Sequence, residues 1–87
     1  MKSNLAEECN LLDYSEFIVD VMKYVDAKIE TLNPKSVDRY RLHNRVQTQI
    51  VANVKRIAGL ERSKVYKEID IIFNSLLREE ISKKMQS

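Results

Sequence analysis

Glycine and proline are almost absent from this chain, since one of each occurs in 87 residues. A small strand-rich domain needs many tight turns, and tight turns draw heavily on these two residue types. The single proline, Pro34, and the single glycine, Gly59, divide the sequence into three long uninterrupted segments. The chain is therefore predicted to be all-α, with one helix in each segment.

Apolar residues recur at helical spacing within each of these segments. The expected three-helix domain has helices at about 13–32, 35–58 and 62–84, preceded by a short N-terminal extension at 1–12. A chain of this length forms one domain with a modest core. We therefore expect its stability to depend on a partner or on self-association.

The helix ends carry their own signals. Asp13 and Glu16 have the spacing of a capping box at the start of the first helix. Asn33-Pro34 ends this helix, because the residue before a proline is pushed out of helical geometry. Gly59 is expected to end the second helix in the left-handed conformation that suits glycine.

Charge is sorted along the sequence. Residues 1–34 carry a net charge of −4, residues 35–67 carry +7 and residues 68–87 carry −1, which sum to +2. Only Asp38 and Glu61 are acidic in the middle segment, so pairing within that segment cannot neutralise its nine cations. Such a block predicts either an anionic partner or an acidic neighbour inside the fold.

The second helix is predicted to have a cationic side and an apolar side, at 100° of rotation per residue. The cationic side is expected to bind an acidic protein surface, and its residues are Arg41, Arg45, Thr48, Lys55 and Arg56. The alternative is a solvated basic face that the acidic first helix partly neutralises.

The stretch 54–69 resembles a helix-turn-helix DNA-binding unit. Ala58-Gly59-Leu60 stands where such a unit has its turn, with Val54 and Val65 at apolar positions. The resemblance implies that the following helix binds duplex DNA through residues of its first turns, which are Arg62, Ser63, Lys64, Tyr66 and Lys67.

The segment 42–77 is also similar to the helical C-terminal region of some phage antirepressors. There, an Arg-rich helix runs through a short glycine turn into a Tyr-containing amphipathic helix. The residues that carry the likeness are Arg45, Val46, Ile57, Ala58, Gly59, Tyr66 and Phe73. This resemblance implies a small phage or mobile-element protein that acts as an inhibitor or regulator by binding another protein.

The third helix has apolar residues on two stripes, which is more apolar surface than one small bundle needs. One stripe is expected to face the core, and the other is expected to form a homodimer interface through Tyr66, Phe73, Leu77 and Ile81. The alternative is a helix that is enclosed within a single bundle.

No catalytic or metal-binding constellation is visible in the sequence. His43 is the only histidine and Cys9 the only cysteine, so neither a nucleophile–base pair nor a metal cluster is indicated. With one glycine there is no glycine-rich phosphate loop. We therefore expect no enzyme activity, no cofactor and no small-molecule substrate.

The sequence also indicates in which cellular compartment the protein is expected. No apolar run approaches the ~20 residues that a membrane span needs, and no apolar signal region follows Met1-Lys2. A cytoplasmic protein is expected. The first hypothesis is a non-enzymatic regulatory protein that binds a protein partner. The alternatives are a DNA-binding regulator and a structural, self-assembling helical protein.

Overall fold

The computed structural model describes residues 14–86, within which there are helices and no strand. The helices are α1 (Ser15–Glu30), α2 (Arg39–Ala52), α3 (Val54–Ala58) and α4 (Arg62–Gln86). The all-α prediction is confirmed. The predicted extension at 1–12, with Cys9, and the predicted Asp13 cap lie outside the described residues.

The second helix begins four residues later than predicted, at Arg39 rather than near residue 35. Asp38 provides its N-cap, because the Asp38 carboxylate accepts a 3.1 Å hydrogen bond from the Arg41 backbone N–H. Val37 precedes this cap and Leu42 follows in the first turn. Both are fully buried in one core, which is the pattern of a hydrophobic staple.

The predicted helix over 35–58 is also interrupted at Asn53, which separates α2 from α3. The Asn53 side chain donates a 2.9 Å hydrogen bond to the Gln49 carbonyl, and its backbone lies outside helical geometry, with φ −114° and ψ 16°. Asparagine competes with the helix in this way by bonding to nearby backbone groups. The break divides the predicted second helix into α2 and α3.

Gly59 follows α3 as its C-cap, but the expected left-handed conformation is wrong. Its φ is −81° and its ψ is −7°, which is ordinary right-handed helical geometry. The turn closes through a 3.1 Å hydrogen bond from the Leu60 N–H to the Ile57 carbonyl. Leu60 then packs back against the core.

The core lies where α2 packs against both α1 and α4. Its apolar side chains come from all four helices and from Val37, and are Val21, Met22, Val25, Ile29, Val37, Leu42, Val46, Ile50, Val54, Ile57, Val65, Ile69, Phe73 and Leu76. His43 lies at the boundary of α1 and α2, with its Nε2 3.0 Å from Asp26 Oδ1. The packing leaves one side of α4 facing solvent along its whole length.

Candidate functional site

Each of the four carboxylates of α4 pairs with a cation, and the first pairs join α4 to α2. Arg45 lies 3.1 Å from Glu79, between Nη2 and Oε1, and 2.7 Å from Glu80, between Nη1 and Oε2. These hydrogen bonds, that to Glu80 first, raise the pKa of the Arg45 guanidinium above its usual value. The Arg45 side chain is only 30% exposed, so much of its charge is compensated within the fold.

Glu80 is buried, with 4% of its surface exposed. Two further cations lie near its Oε2, the Arg41 Nε at 3.4 Å and the Lys83 Nζ at 3.9 Å. A carboxylate is tolerated inside a protein only when it is paired and hydrogen-bonded. Glu80 is therefore the anchor that holds the start of α2 against the end of α4.

Glu68 and Asp70 are paired in the first half of α4. Glu68 accepts a 3.0 Å hydrogen bond from Arg56 of α3. Asp70 pairs with Lys28 of α1 and accepts a 2.7 Å hydrogen bond from the Tyr24 hydroxyl. The Lys28 ammonium, helped by the Tyr24 hydroxyl and opposed by burial, lowers the pKa of Asp70. The hydrogen bond to Asp70, together with burial, raises the pKa of Tyr24.

These pairs involve three of the cations that the sequence assigned to a partner-binding face. Arg45 and Arg56 both contact carboxylates of α4. Arg41 is 56% exposed beside Glu80. The acidic neighbour that the sequence left open as an alternative is therefore present, and it is the last helix rather than the acidic first helix.

The other two residues of that predicted face lie on either side of the break at Asn53. Thr48 is exposed on α2 and donates its hydroxyl to the Asn44 carbonyl at 2.8 Å. Lys55 is exposed on α3 and has no ion-pair partner among residues 14–86. The predicted face is thus spread over two helices rather than one.

The residues predicted from the helix-turn-helix resemblance lie at the start of α4, after the short α3 and the turn at Gly59. Arg62, Ser63, Lys64 and Lys67 are exposed. Tyr66 is half-buried, and its ring packs edge-on against Tyr24 of α1 with centroids 4.9 Å apart. Tyr66 is therefore part of the contact between α1 and α4 and does not join the other four.

A longer surface continues from two of these residues toward the end of α4. We call it the outer face, and it consists of Lys64, Lys67, Ile71, Asn74, Ser75, Arg78, Ser82 and Met85, all of them exposed. At 100° per residue these side chains fall within an arc of about 100°. The arc contains three cations and no carboxylate, although Glu68 and Glu79 border it on one edge and Asp70 on the other.

The cations of the outer face are not neutralised by the fold. Lys64, Lys67 and Arg78 form no ion pair with any residue in the part of the chain that the structure describes. The sequence interpretation missed Arg78, Asn74 and Ser75, although their spacing of three and four residues from Lys67 and Ile71 marks one side of a helix. What it lacked was knowledge of which side of α4 the core would take.

The predicted dimer residues lie on the inward and lateral sides of α4. Phe73 is 2% exposed and packs in the core of the single chain. Tyr66, Leu77 and Ile81 are half-buried, and both Leu77 and Ile81 pack against the same core. Leu77 and Ile81 keep some exposed apolar surface.

Among the described residues, no three His, Cys, Asp or Glu side chains are placed to hold a metal ion together. None of the helices there combines the length and apolar character needed to cross a membrane. Comparisons with protein-family models, curated proteins and solved structures give no match. The function of the outer face is therefore inferred from its own residues and geometry.

Proposed function

We propose that this protein is a small, non-enzymatic binding module that attaches to an anionic macromolecule through the outer face of α4. The observation that supports this proposal is the separation of charge around one helix. The carboxylates of α4 are paired with cations of the fold, whereas Lys64, Lys67 and Arg78 are exposed and form no ion pair with a described residue.

The net charge of +2 is too small to attract a polyanion over a distance, so the local arrangement must do so. Lys64 and Lys67 are separated by about 4.5 Å along the helix axis. This is well within the ~8 Å over which charges interact at physiological ionic strength. Their fields therefore add at the surface of α4.

A protein that acts only by binding exerts its effect by covering a surface of its target or by bringing another bound molecule to that target. Such a role suits a regulator or an inhibitor. The resemblance of 42–77 to phage antirepressor regions implies the same class of protein. We propose a regulatory role of this kind, with the anionic partner as its target.

Retention on immobilised heparin tests this proposal. The variant Lys64→Gln/Lys67→Gln removes two cations from the outer face. The control Lys23→Gln/Lys35→Gln removes two exposed cations from elsewhere. The parent and the control should elute at similar salt concentrations, and the outer-face variant should elute at clearly lower salt. Equal elution of the two variants would contradict the proposal.

A second candidate is the acidic protein partner that the sequence favoured. A depression of about 340 Å³ lies between the start of α2 and the end of α4, and its lining residues are Asp38, Arg41, Glu80, Lys83 and Lys84. Its three cations suit an acidic side chain of a partner. In this case Arg41→Gln/Lys83→Gln would weaken binding to polyglutamate, and Lys64→Gln/Lys67→Gln would leave it unchanged.

A further inference from the structure

We infer that the partner of the outer face is duplex DNA, and that the middle of α4 lies in its major groove. The inference rests on the proposed function and names the class of partner for the same surface. Three features of the outer face support it: its composition, the spacing of its cations, and the side chains between them.

The composition suits nucleic acid better than protein. Protein–protein interfaces are enriched in aromatic residues, methionine and arginine, and are depleted in lysine and serine. The outer face contains no aromatic residue, and four of its eight members are the depleted types Lys64, Lys67, Ser75 and Ser82. Protein–DNA interfaces are polar and strongly positive, and phosphate oxygens accept hydrogen bonds from lysine, arginine and serine.

The spacing of the cations fits the width of the groove. At 1.5 Å per residue, Arg78 lies about 17 Å along the helix from Lys67 and about 21 Å from Lys64. The major groove of B-form DNA is about 12 Å wide and admits an α-helix. A helix that crosses it can therefore place Lys64 and Lys67 at one phosphate backbone and Arg78 at the other.

The side chains between these cations would then face the base edges. Ile71 is 62% exposed, and Asn74 and Ser75 lie one turn further along. Asparagine pairs with the N6 and N7 atoms of adenine, and an apolar side chain contacts the methyl group of thymine. This arrangement gives the exposed Ile71 a partner and predicts A·T pairs at the centre of the site.

The shape of the major groove also distinguishes duplex DNA from duplex RNA. Duplex RNA has the A form, whose major groove is too deep and narrow for side chains to read. A surface that made only phosphate contacts would bind both duplexes. A helix inserted in the major groove would favour DNA strongly, so the comparison of the two duplexes reports on insertion itself.

The test measures binding of the full chain by fluorescence anisotropy to a mixed-sequence 24-base-pair DNA duplex, to RNA of the same sequence and to polyglutamate, over a range of salt concentrations. Three phosphate contacts predict a slope of log K against log[salt] of about −3. Arg78→Gln removes one contact and should reduce the magnitude of this slope by about 0.9. DNA should bind at least tenfold more tightly than either RNA or polyglutamate.

A second measurement probes the middle of the helix. Asn74→Glu places a carboxylate at the base edges and should weaken DNA binding more than tenfold. Asn44→Glu makes the same substitution on the exposed surface of α2 and should change the affinity for DNA less than threefold. Selection from random duplexes should enrich A·T pairs. Circular dichroism confirms that both variants fold.

The outcomes separate this inference from the proposed function. If the parent binds heparin but binds DNA no more tightly than RNA or polyglutamate, groove insertion is wrong and the polyanion-binding module stands. Equal effects of Asn74→Glu and Asn44→Glu would also overturn insertion. If the parent binds none of these polyanions, both proposals fail.

Discussion

At the scale of single residues, two adjacent glutamates contact the same arginine but differ in their surroundings. Glu80 is buried and has Arg41, Arg45 and Lys83 around it, whereas Glu79 is exposed and contacts Arg45 alone. The exposed pair is screened by water, while the buried carboxylate depends on its partners. Most of the stabilisation from this cluster should therefore come from Glu80.

Glu80→Gln and Glu79→Gln test this difference. Glu80→Gln removes the charge that pairs with the half-buried Arg45 and should lower the free energy of unfolding by about 1–3 kcal/mol. Glu79→Gln should lower it by about 0–1 kcal/mol. Urea denaturation of both variants gives the comparison. Equal losses would show that burial of Glu80 is not what holds α2 against α4.

Asp70 should make stability depend on pH at the acid end. Its folded-state pKa is lowered, first by Lys28, so its contribution is present above the unfolded-state pKa of about 4. That contribution is lost as pH falls through the lower folded-state value. The Asp70→Asn variant should therefore lose less stability than the parent between pH 5 and 2, about the range in which carboxyl groups titrate. The control Asp20→Asn should lose as much stability as the parent. Identical acid limbs in all three proteins would contradict this.

The hydroxyl that donates to Asp70 makes a matching prediction at the alkaline end. The pKa of Tyr24 is raised, first by its hydrogen bond to Asp70. Its contribution is therefore complete below the unfolded-state pKa of about 10 and is lost as pH rises through the folded-state value. Tyr24→Phe should flatten the alkaline limb of stability measured by denaturation, and an unchanged limb would argue against this hydrogen bond.

At the scale of the helices, the two breakers and the apolar spacing were enough to predict α1, α4 and the all-α class. The break at Asn53 was not predictable from them, because Ile50, Val54 and Ile57 keep helical spacing across it and are all buried. Only a local hydrogen bond, from the Asn53 side chain to the backbone, separates α2 from α3.

The residues of the outer face were likewise only partly predictable from the sequence. Helical spacing and charge pointed to Lys64 and Lys67. The pairing of Arg45 with Glu79 and Glu80 joins residues more than 30 positions apart, so it depends on tertiary packing that the sequence pattern does not contain. Once those carboxylates are paired, Lys64, Lys67 and Arg78 are the cations of the outer face of α4 that remain without an ion pair among the described residues.

Gly59 allows a sharp test of how α3 ends. Its φ of −81° is open to any residue, and an added Cβ would lie 3.5 Å from the Lys55 carbonyl oxygen, an ordinary contact. Gly59→Ala should therefore stabilise the protein by about 0.4–1 kcal/mol, because it restricts the unfolded chain. A loss of stability in thermal or urea unfolding would instead indicate the left-handed conformation.

At the scale of the whole molecule, the packing redistributes a modest net charge. The cations of α2 and α3 that face α4 are compensated, and those of the outer face are left to solvent. Ile81 lines a shallow depression together with Arg78 and Ser82 of the outer face, so the dimer predicted through Leu77 and Ile81 would cover the C-terminal end of that face. Self-association should therefore compete with polyanion binding at Arg78.

Sedimentation equilibrium tests the predicted dimer. The parent should have twice the chain mass of 10.2 kDa, and Leu77→Lys/Ile81→Lys should approach the mass of one chain while remaining helical. Gln47→Lys/Ser75→Lys adds the same charge at exposed positions away from Ile81 and should leave the dimer intact. A parent that sediments as a monomer contradicts the prediction directly.

The central claim is that outer-face cations bind the partner while the cations paired with α4 stabilise the fold. The most direct measurement is the salt dependence of binding to the 24-base-pair DNA duplex for two double variants. Lys64→Gln/Lys67→Gln should reduce the magnitude of the slope by about 1.8. Arg56→Gln/Glu68→Gln, which leaves the net charge unchanged, should leave the slope unchanged. A slope reduced by the second variant but not by the first would contradict the claim.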